Sequence, residues 1–133
     1  MIDHLNAYAI GAKDVRGLAA FYRDRLGFQQ KELSDNFAYL TFGPKGTAGI
    51  ALVHMPAFQS EIADRSTPVA KEGLSRGYFA IFLEDADREY EELRSKGVEF
   101  VTPPTTRPDG QRYAFFRDPE GNLWEISHFP KPA

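Results

Sequence analysis

The sequence contains no cysteine, so it has no disulfide framework, no thiol nucleophile and no thiolate ligand for a metal. It also lacks an apolar run near the ~20 residues that a membrane-spanning helix needs. Its first residues do not show the basic start and apolar stretch of a secretory signal. We therefore expect a soluble, unprocessed protein without a membrane partner, and we predict that it is cytoplasmic.

Positive charge is scarce as well. The chain has 16 Lys and Arg against 19 Asp and Glu, a formal net charge of −3, and its basic residues form no cluster. A nucleic-acid partner requires a basic patch, so we expect none. What is present is apolar: 42% of the 133 residues are hydrophobic and 14% are aromatic, which predicts one compact domain with a buried core.

Two segments share the layout of one capped helix, and they lie about half a chain apart. Asp14 and Asp85 are N-cap candidates, and Gly27 and Gly97 stand where a helix C-terminus favours glycine. The apolar stripes between them are Val15, Leu18, Ala19, Tyr22 and Leu26 in the first segment and Ala86, Tyr90 and Leu93 in the second. The spacing predicts helices over residues 15–26 and 86–96 and indicates an internal repeat.

Short strand-like runs surround both predicted helices. They are residues 5–12, 28–33, 37–42 and 49–54 in the first half and 77–83, 98–101, 111–117 and 123–129 in the second. Turn signals at 43–46 and 118–121 separate the last two strands of each half. Each half therefore reads βαβββ, with boundaries near 1–54 and 77–133. Residues 55–76 are the predicted connection, either a surface loop or a cover for a cleft.

Two motifs carry a family resemblance. They are Phe21-Tyr-Arg-Asp-Arg-Leu-Gly-Phe28 and Arg117-Asp-Pro-Glu-Gly-Asn-Leu-Trp-Glu125. Together they resemble the vicinal oxygen chelate superfamily of glyoxalase I, bleomycin-resistance proteins, fosfomycin-resistance enzymes and extradiol dioxygenases. The resemblance implies an α+β fold of two tandem βαβββ modules that form an open, U-shaped, eight-stranded trough around a ligand. It also implies a homodimer, because relatives with two short modules often pair.

The resemblance also indicates where a metal ion would be held. In metal-dependent members the ligands come from the first strand of each module, usually as His or Gln, and from the last strand, usually as Glu. The matching positions in this chain are Ala7, Ala51, Tyr78 and Glu125. An alanine methyl donates nothing to a cation, and Glu125 alone is a usual ligand. We therefore expect no metal and no cofactor.

The three histidines are the remaining candidates for a rebuilt metal site. His4, His54 and His128 each stand at an odd offset from the nearest of the four matching positions. Strand alternation then turns their side chains away from the trough. We interpret them as surface or interface histidines with ordinary partners.

The strand positions that face the implied trough combine small residues with aromatic ones. The predicted ligand-binding residues are Ala7, Ala51, Val53, Tyr78, Phe82, Glu125 and Ser127. A mainly apolar wall with a few polar groups is typical of a small-molecule pocket. The alternative is that the alanines only make room for other side chains to fill the space.

Glu125 is the candidate catalytic residue. A carboxylate in an apolar trough is costly unless it is paired, and the Tyr78 hydroxyl is one predicted partner. Three roles stay open: charge partner of a cationic ligand, general acid or base, or a leftover from a metal-binding ancestor. The leading hypothesis is metal-free binding of a small organic molecule. The alternative is a glyoxalase-type lyase or isomerase, or a dioxygenase-related enzyme, that uses Glu125 as metal ligand or acid/base.

Overall fold

The computed structural model describes residues 7–43, 48–56 and 78–131. The chain divides into two units, Met1–Val69 and Ala70–Ala133, and the boundary falls within the predicted connection. Within the described residues, each unit shows a four-stranded sheet and a helix of ten residues. Three predicted features lie outside the described residues: His4, residues 44–46 of the first turn, and most of the connection.

The first unit has the order β1, α1, β2, β3, β4. Its elements are β1 (Ala7–Ala12), α1 (Val15–Asp24), β2 (Gln29–Leu33), β3 (Phe37–Phe42) and β4 (Ala48–His54). The sheet order is β1-β4-β3-β2, in which β1 runs parallel to β4 and the other neighbours are antiparallel. This is a mixed sheet with one crossover through α1.

The second unit repeats that plan. Its elements are β5 (Phe79–Phe82), α2 (Ala86–Ser95), β6 (Thr105–Thr106), β7 (Arg112–Arg117) and β8 (Leu123–His128). The sheet order is β5-β8-β7-β6, again with the first strand parallel to the last. The predicted α+β class with two tandem βαβββ modules is confirmed.

The helix ends follow the local signals in the sequence. The Asp14 carboxylate accepts the Gly17 N–H at 3.0 Å, and Asp85 accepts the Arg88 N–H at 3.1 Å. Gly27 and Gly97 take the left-handed conformation, with φ of 78° and 87°. The helices end at Asp24 and Ser95, slightly before the predicted 26 and 96, because the last residues form the turn into each glycine.

The core of each unit lies between its helix and one face of its sheet. The buried residues of the first unit include Ile10, Val15, Leu18, Ala19, Tyr22, Ala38, Leu40, Ile50 and Leu52. Those of the second include Ala86, Leu93, Ala114, Phe116, Trp124 and Ile126. Strand alternation then turns the intervening side chains to the opposite face of each sheet, and the predicted site residues lie there.

The predicted strand over 98–101 pairs with β7 only in part, through hydrogen bonds at Glu99 and Val101. Phe100 makes only an isolated bridge to Phe116, and the two-residue β6 further along pairs with β7 instead. The cause is the pair Pro103 and Pro104, which have no N–H to continue a ladder. Pairing along β7 therefore stops at Thr102 and resumes at Thr105.

The turn before β8 is confirmed. The Gly121 N–H donates to the Asp118 carbonyl at 3.0 Å, and Gly121 has a φ of 87°. The Asp118 carboxylate is buried and accepts the backbone N–H of Glu120 and Asn122 at 3.0 and 2.9 Å. The turn therefore fixes where β8 begins, and with it the position of Glu125.

His128 caps the second helix from the neighbouring sheet. Its Nδ1 accepts the Ala86 N–H at 2.8 Å, which satisfies a donor that a helix N-terminus leaves free. We expect His128→Ala to lower the free energy of unfolding by about 1 kcal/mol, the usual cost of a lost cap, as measured by urea denaturation. His54→Ala is the control, because the His54 side chain makes no hydrogen bond within the described residues. Equal losses in both variants would contradict the capping role.

Candidate functional site

The candidate site lies on the face of the second sheet that points away from α2. We call it the site face and define it by four cross-strand pairs: Ala80–Glu125, Phe82–Ser127, Phe115–Glu125 and Tyr113–Ser127. The neighbouring positions Trp124 and Ile126 are buried on the helix side. The predicted residues Phe82, Glu125 and Ser127 thus come together on one surface.

Glu125 forms an ion pair with a residue that sequence reasoning missed. Arg107 Nη2 donates to Glu125 Oε2 at 2.6 Å. The side chain of Glu125 is 2% exposed, whereas that of Arg107 is 28% exposed. Within the described residues the bond to Glu125 comes from Arg107 and not from the predicted Tyr78 hydroxyl, and the Tyr78 ring packs edge to face on Phe115 with centroids 5.0 Å apart. A buried carboxylate therefore has a matched cation directly above it.

Arg107 is held on three sides. Its Nη1 donates to Gln111 Oε1, and its guanidinium carbon lies 4.1 Å from the centroid of the Tyr113 ring, a cation–π contact. The hydrogen bond to Glu125 raises the pKa of the Arg107 guanidinium further above its ordinary value. The arginine is therefore charged and fixed in orientation.

Gln111 extends the network to Ser127. Its Nε2 donates to Ser127 Oγ at 3.1 Å, and Ser127 is fully buried. The chain of contacts therefore runs from Glu125 through Arg107 and Gln111 to Ser127. Every one of these polar side chains has a partner, as buried polar groups require.

A tight turn brings Arg107 and Gln111 together. The Arg107 N–H donates to the Gln111 carbonyl at 2.9 Å, and the Asp109 carboxylate accepts the Gln111 N–H at 3.0 Å. Gly110 completes the turn with a φ of 93°. Pro108-Asp-Gly110 is a strong turn signal, and it could have placed residues 107 and 111 side by side before β7.

Two aromatic residues at either end of β5 are strongly exposed. Tyr78 is 50% exposed and Phe82 is 76% exposed, in contrast to the buried Glu125 and Ser127. Ala80, between them in sequence, is also exposed. A molecule approaching the site face therefore meets rings and Arg107 first.

The remaining predicted residues lie in the first unit. Ala7, Ala51 and Val53 share the sheet face opposite α1, where Ala9 pairs with Ala51 and Gly11 with Val53. All three are half-buried. Along β1 and β4 this face carries no charged residue, and Glu32 of β2 lies on the same face further across the sheet, opposite Tyr39.

The residues at the family's metal positions do not fit a metal ion. The strand register supports the assignment of these matching positions. Ala9 pairs with Ala51 in the first unit as Ala80 pairs with Glu125 in the second. Ala7 and Tyr78, each two residues earlier, therefore occupy equivalent places in the two units. Two alanines supply no donor, and the Glu125 carboxylate is bound by Arg107. Over residues 7–43, 48–56 and 78–131, no three His, Cys, Asp or Glu residues form a group that could hold a metal.

Tandem βαβββ modules, with a glutamate in the last strand of the second, define a protein of the vicinal oxygen chelate class. The chain belongs to the Glyoxalase/Bleomycin resistance protein/Dioxygenase superfamily, whose sequence profile matches residues 2–126. The family resemblance seen in the sequence is thus confirmed.

Similar proteins support the same fold. YraH of Bacillus subtilis (strain 168) is 30% identical over 114 residues, which cover 85% of this chain and 88% of YraH. A glyoxalase/bleomycin resistance protein/dioxygenase from Nocardioides matches with a TM-score of 0.79 and 24% identity over 100% of this chain and 87% of that one. A lactoylglutathione lyase from Agrobacterium tumefaciens matches with a TM-score of 0.72 and 22% identity over 96% and 94%. At such identities the two structures show a common fold and no more.

Among the helices that the structure describes, none has the length and apolar character needed to cross a membrane.

Proposed function

We propose that this protein binds a small organic molecule against the site face and does so without a metal ion. The observation that carries the proposal is the ion pair of Glu125 with Arg107, since it commits the one usual metal ligand to a protein cation. Membership of a superfamily that includes bleomycin-resistance proteins supports a binding function.

The make-up of the site face supports the same proposal. Exposed rings at Tyr78 and Phe82 offer apolar contact, and the Arg107 network supplies a small number of fixed polar groups. Small-molecule sites combine these two features. We also propose that Ala7, Ala51 and Val53 make apolar ligand contacts on the first unit's own sheet face, because that face carries no charge along β1 and β4.

The geometry supports an enzyme less well. In a glyoxalase-type lyase or isomerase, Glu125 would exchange a proton with substrate, and a general base must reach that proton within hydrogen-bond distance. Glu125 is 2% exposed and its Oε2 is already bonded to Arg107. The proposal therefore keeps Glu125 as part of the binding site and gives it no catalytic step.

A screen of small organic molecules by ligand-observed NMR tests the binding function. Ala80→Phe is the informative variant, because Ala80 is exposed and lies opposite Glu125, so the added ring covers the site face and leaves the core intact. We expect the affinity of any molecule found to fall about tenfold or more. A complete absence of binders at millimolar concentration would reject the proposal.

Ala51→Phe applies the same test to the first unit. Ala51 is half-buried beside Tyr39, its cross-strand partner in β3. If Ala7, Ala51 and Val53 contact a ligand on the first unit's own sheet face, the added ring lowers affinity as well. Unchanged affinity would show that these three residues contact no ligand.

We also propose that the protein is a homodimer. Phe129, directly after β8, is 62% exposed and gives apolar surface for a second copy. Sedimentation equilibrium at micromolar concentration measures the mass, and a monomer of 15.0 kDa would contradict the proposal.

A further inference from the structure

We infer that Arg107, and not Glu125, is the charged residue that touches the ligand, and that the ligand is a small aromatic carboxylate. The inference rests on the proposed binding function and names its ligand class. The expected ligand is therefore an anion. Glu125 alone would favour a cationic ligand, since a free carboxylate on the site face attracts positive charge.

Exposure decides which member of the ion pair a ligand can reach. The Arg107 side chain is 28% exposed and that of Glu125 is 2% exposed. Glu125 also accepts its bond from Arg107 Nη2, so the arginine lies between the carboxylate and an incoming molecule. The charge offered at the surface is therefore positive.

The guanidinium keeps donors for a ligand. It has five N–H groups, and the described residues engage one on Nη1 and one on Nη2. Its planar fork matches a carboxylate, which can accept two parallel hydrogen bonds. Because Glu125, Gln111 and Tyr113 already fix the guanidinium, little orientational freedom is lost on binding.

The neighbouring rings indicate the rest of the ligand. Tyr78, Phe115 and Tyr113 form a connected row, with centroids 5.0 and 5.6 Å apart, and Arg107 lies over Tyr113 at its end. The exposed ring of Tyr78 gives a planar group a surface to pack on. An aromatic body with a carboxylate at one end matches this row.

In this arrangement Glu125 is a positioning residue. It holds Arg107 in place and offsets part of its charge. Removal of that negative charge should leave Arg107 more attractive to an anion, and this consequence distinguishes positioning from direct contact. A Glu125 that contacted a cationic ligand would give the opposite change.

Three probes of similar size test the inference: 2-naphthoate, 2-naphthamide and 2-naphthylmethylammonium. Each is titrated into the full chain at low ionic strength and followed by ligand-observed NMR. We expect the wild type to bind naphthoate about tenfold more tightly than naphthamide and the ammonium least, since a charge-assisted hydrogen bond is about twice as strong as a neutral one.

Two variants locate the charge preference. In R107A/E125Q both members of the pair are gone, so no charge is left buried, and the preference for naphthoate should fall to about twofold or less. In Glu125→Gln, naphthoate should bind more tightly than in the wild type. Arg112→Ala is the control, since Arg112 pairs with Asp87 on the helix side of the sheet and should leave all three affinities unchanged.

The outcomes distinguish a failure of this inference from a failure of the proposed small-molecule binding function. Equal binding of naphthoate and naphthamide by the wild type overturns the inference and leaves small-molecule binding intact. Weaker naphthoate binding in Glu125→Gln, or a full preference in R107A/E125Q, also overturns it. If none of the three probes binds at millimolar concentration, the inference fails, whereas the proposed function fails only if the broader screen of small organic molecules also finds no binder.

Discussion

Replacing Arg107 with alanine is expected to lower the free energy of unfolding by about 3–5 kcal/mol, the cost of leaving a buried charge without its partner. Glu125 is 2% exposed and accepts a hydrogen bond from Arg107 at 2.6 Å. The variant would leave that buried carboxylate without a cationic partner and would also remove the donor to Gln111. The loss should therefore be far larger than that of an ordinary surface arginine.

The second unit supplies the matched control for this prediction. Arg112 pairs with Asp87 at 2.8 Å, but the two side chains are 32% and 49% exposed. Water screens such a pair, so Arg112→Ala should change stability much less, although Arg112 holds the pKa of Asp87 below its usual range. Urea denaturation of both variants makes the comparison. Equal losses would show that the buried position of Glu125 does not set the cost.

A double-mutant cycle isolates the pair itself. Glu125→Gln keeps the shape of the side chain and removes its charge, so R107A/E125Q should recover a substantial part of the stability that Arg107→Ala loses. Additive losses in the double variant would mean that the two residues do not interact.

The sequence predicted those features that depend on a few neighbouring residues. The caps at Asp14 and Asp85 and the left-handed glycines at 27 and 97 each follow from local backbone chemistry. Strand alternation also placed Glu125 and Ser127 on one face, because side-chain direction in a strand has a period of two. These rules require no knowledge of tertiary contacts.

The partner of Glu125 could not be found in the same way. Arg107 stands in a loop, 18 residues before Glu125, and no periodicity applies there. The contact depends on the turn at 108–110 and on the register of β7 against β8, which together bring the arginine over the strand. The displaced sixth strand is a different case, since Pro103 and Pro104 were visible in the sequence and mark where pairing must stop.

Gly49→Ala is expected to destabilise the first unit by about 3 kcal/mol, near the upper end of the usual cost of overpacking. A Cβ at Gly49 would lie 2.6 Å from the Tyr39 hydroxyl oxygen and 2.8 Å from the Leu40 carbonyl oxygen, well inside normal contact distance. The Tyr39 ring can rotate away, but the Leu40 carbonyl belongs to the neighbouring strand and is held in the ladder between β3 and β4. The methyl group must therefore push the two strands apart.

A second substitution separates these two contacts. Tyr39→Ala in the Gly49→Ala background removes the movable obstacle and leaves the carbonyl, so we expect only part of the loss to be recovered relative to Tyr39→Ala alone, as measured by urea denaturation. Full recovery would assign the whole cost to the tyrosine ring, and a loss of less than about 0.5 kcal/mol in Gly49→Ala would show that the strands yield freely. Because the Tyr39 ring lies against Gly49 and Tyr39 pairs with Ala51, the Gly49→Ala variant should also move that ring on the surface assigned to apolar ligand contact.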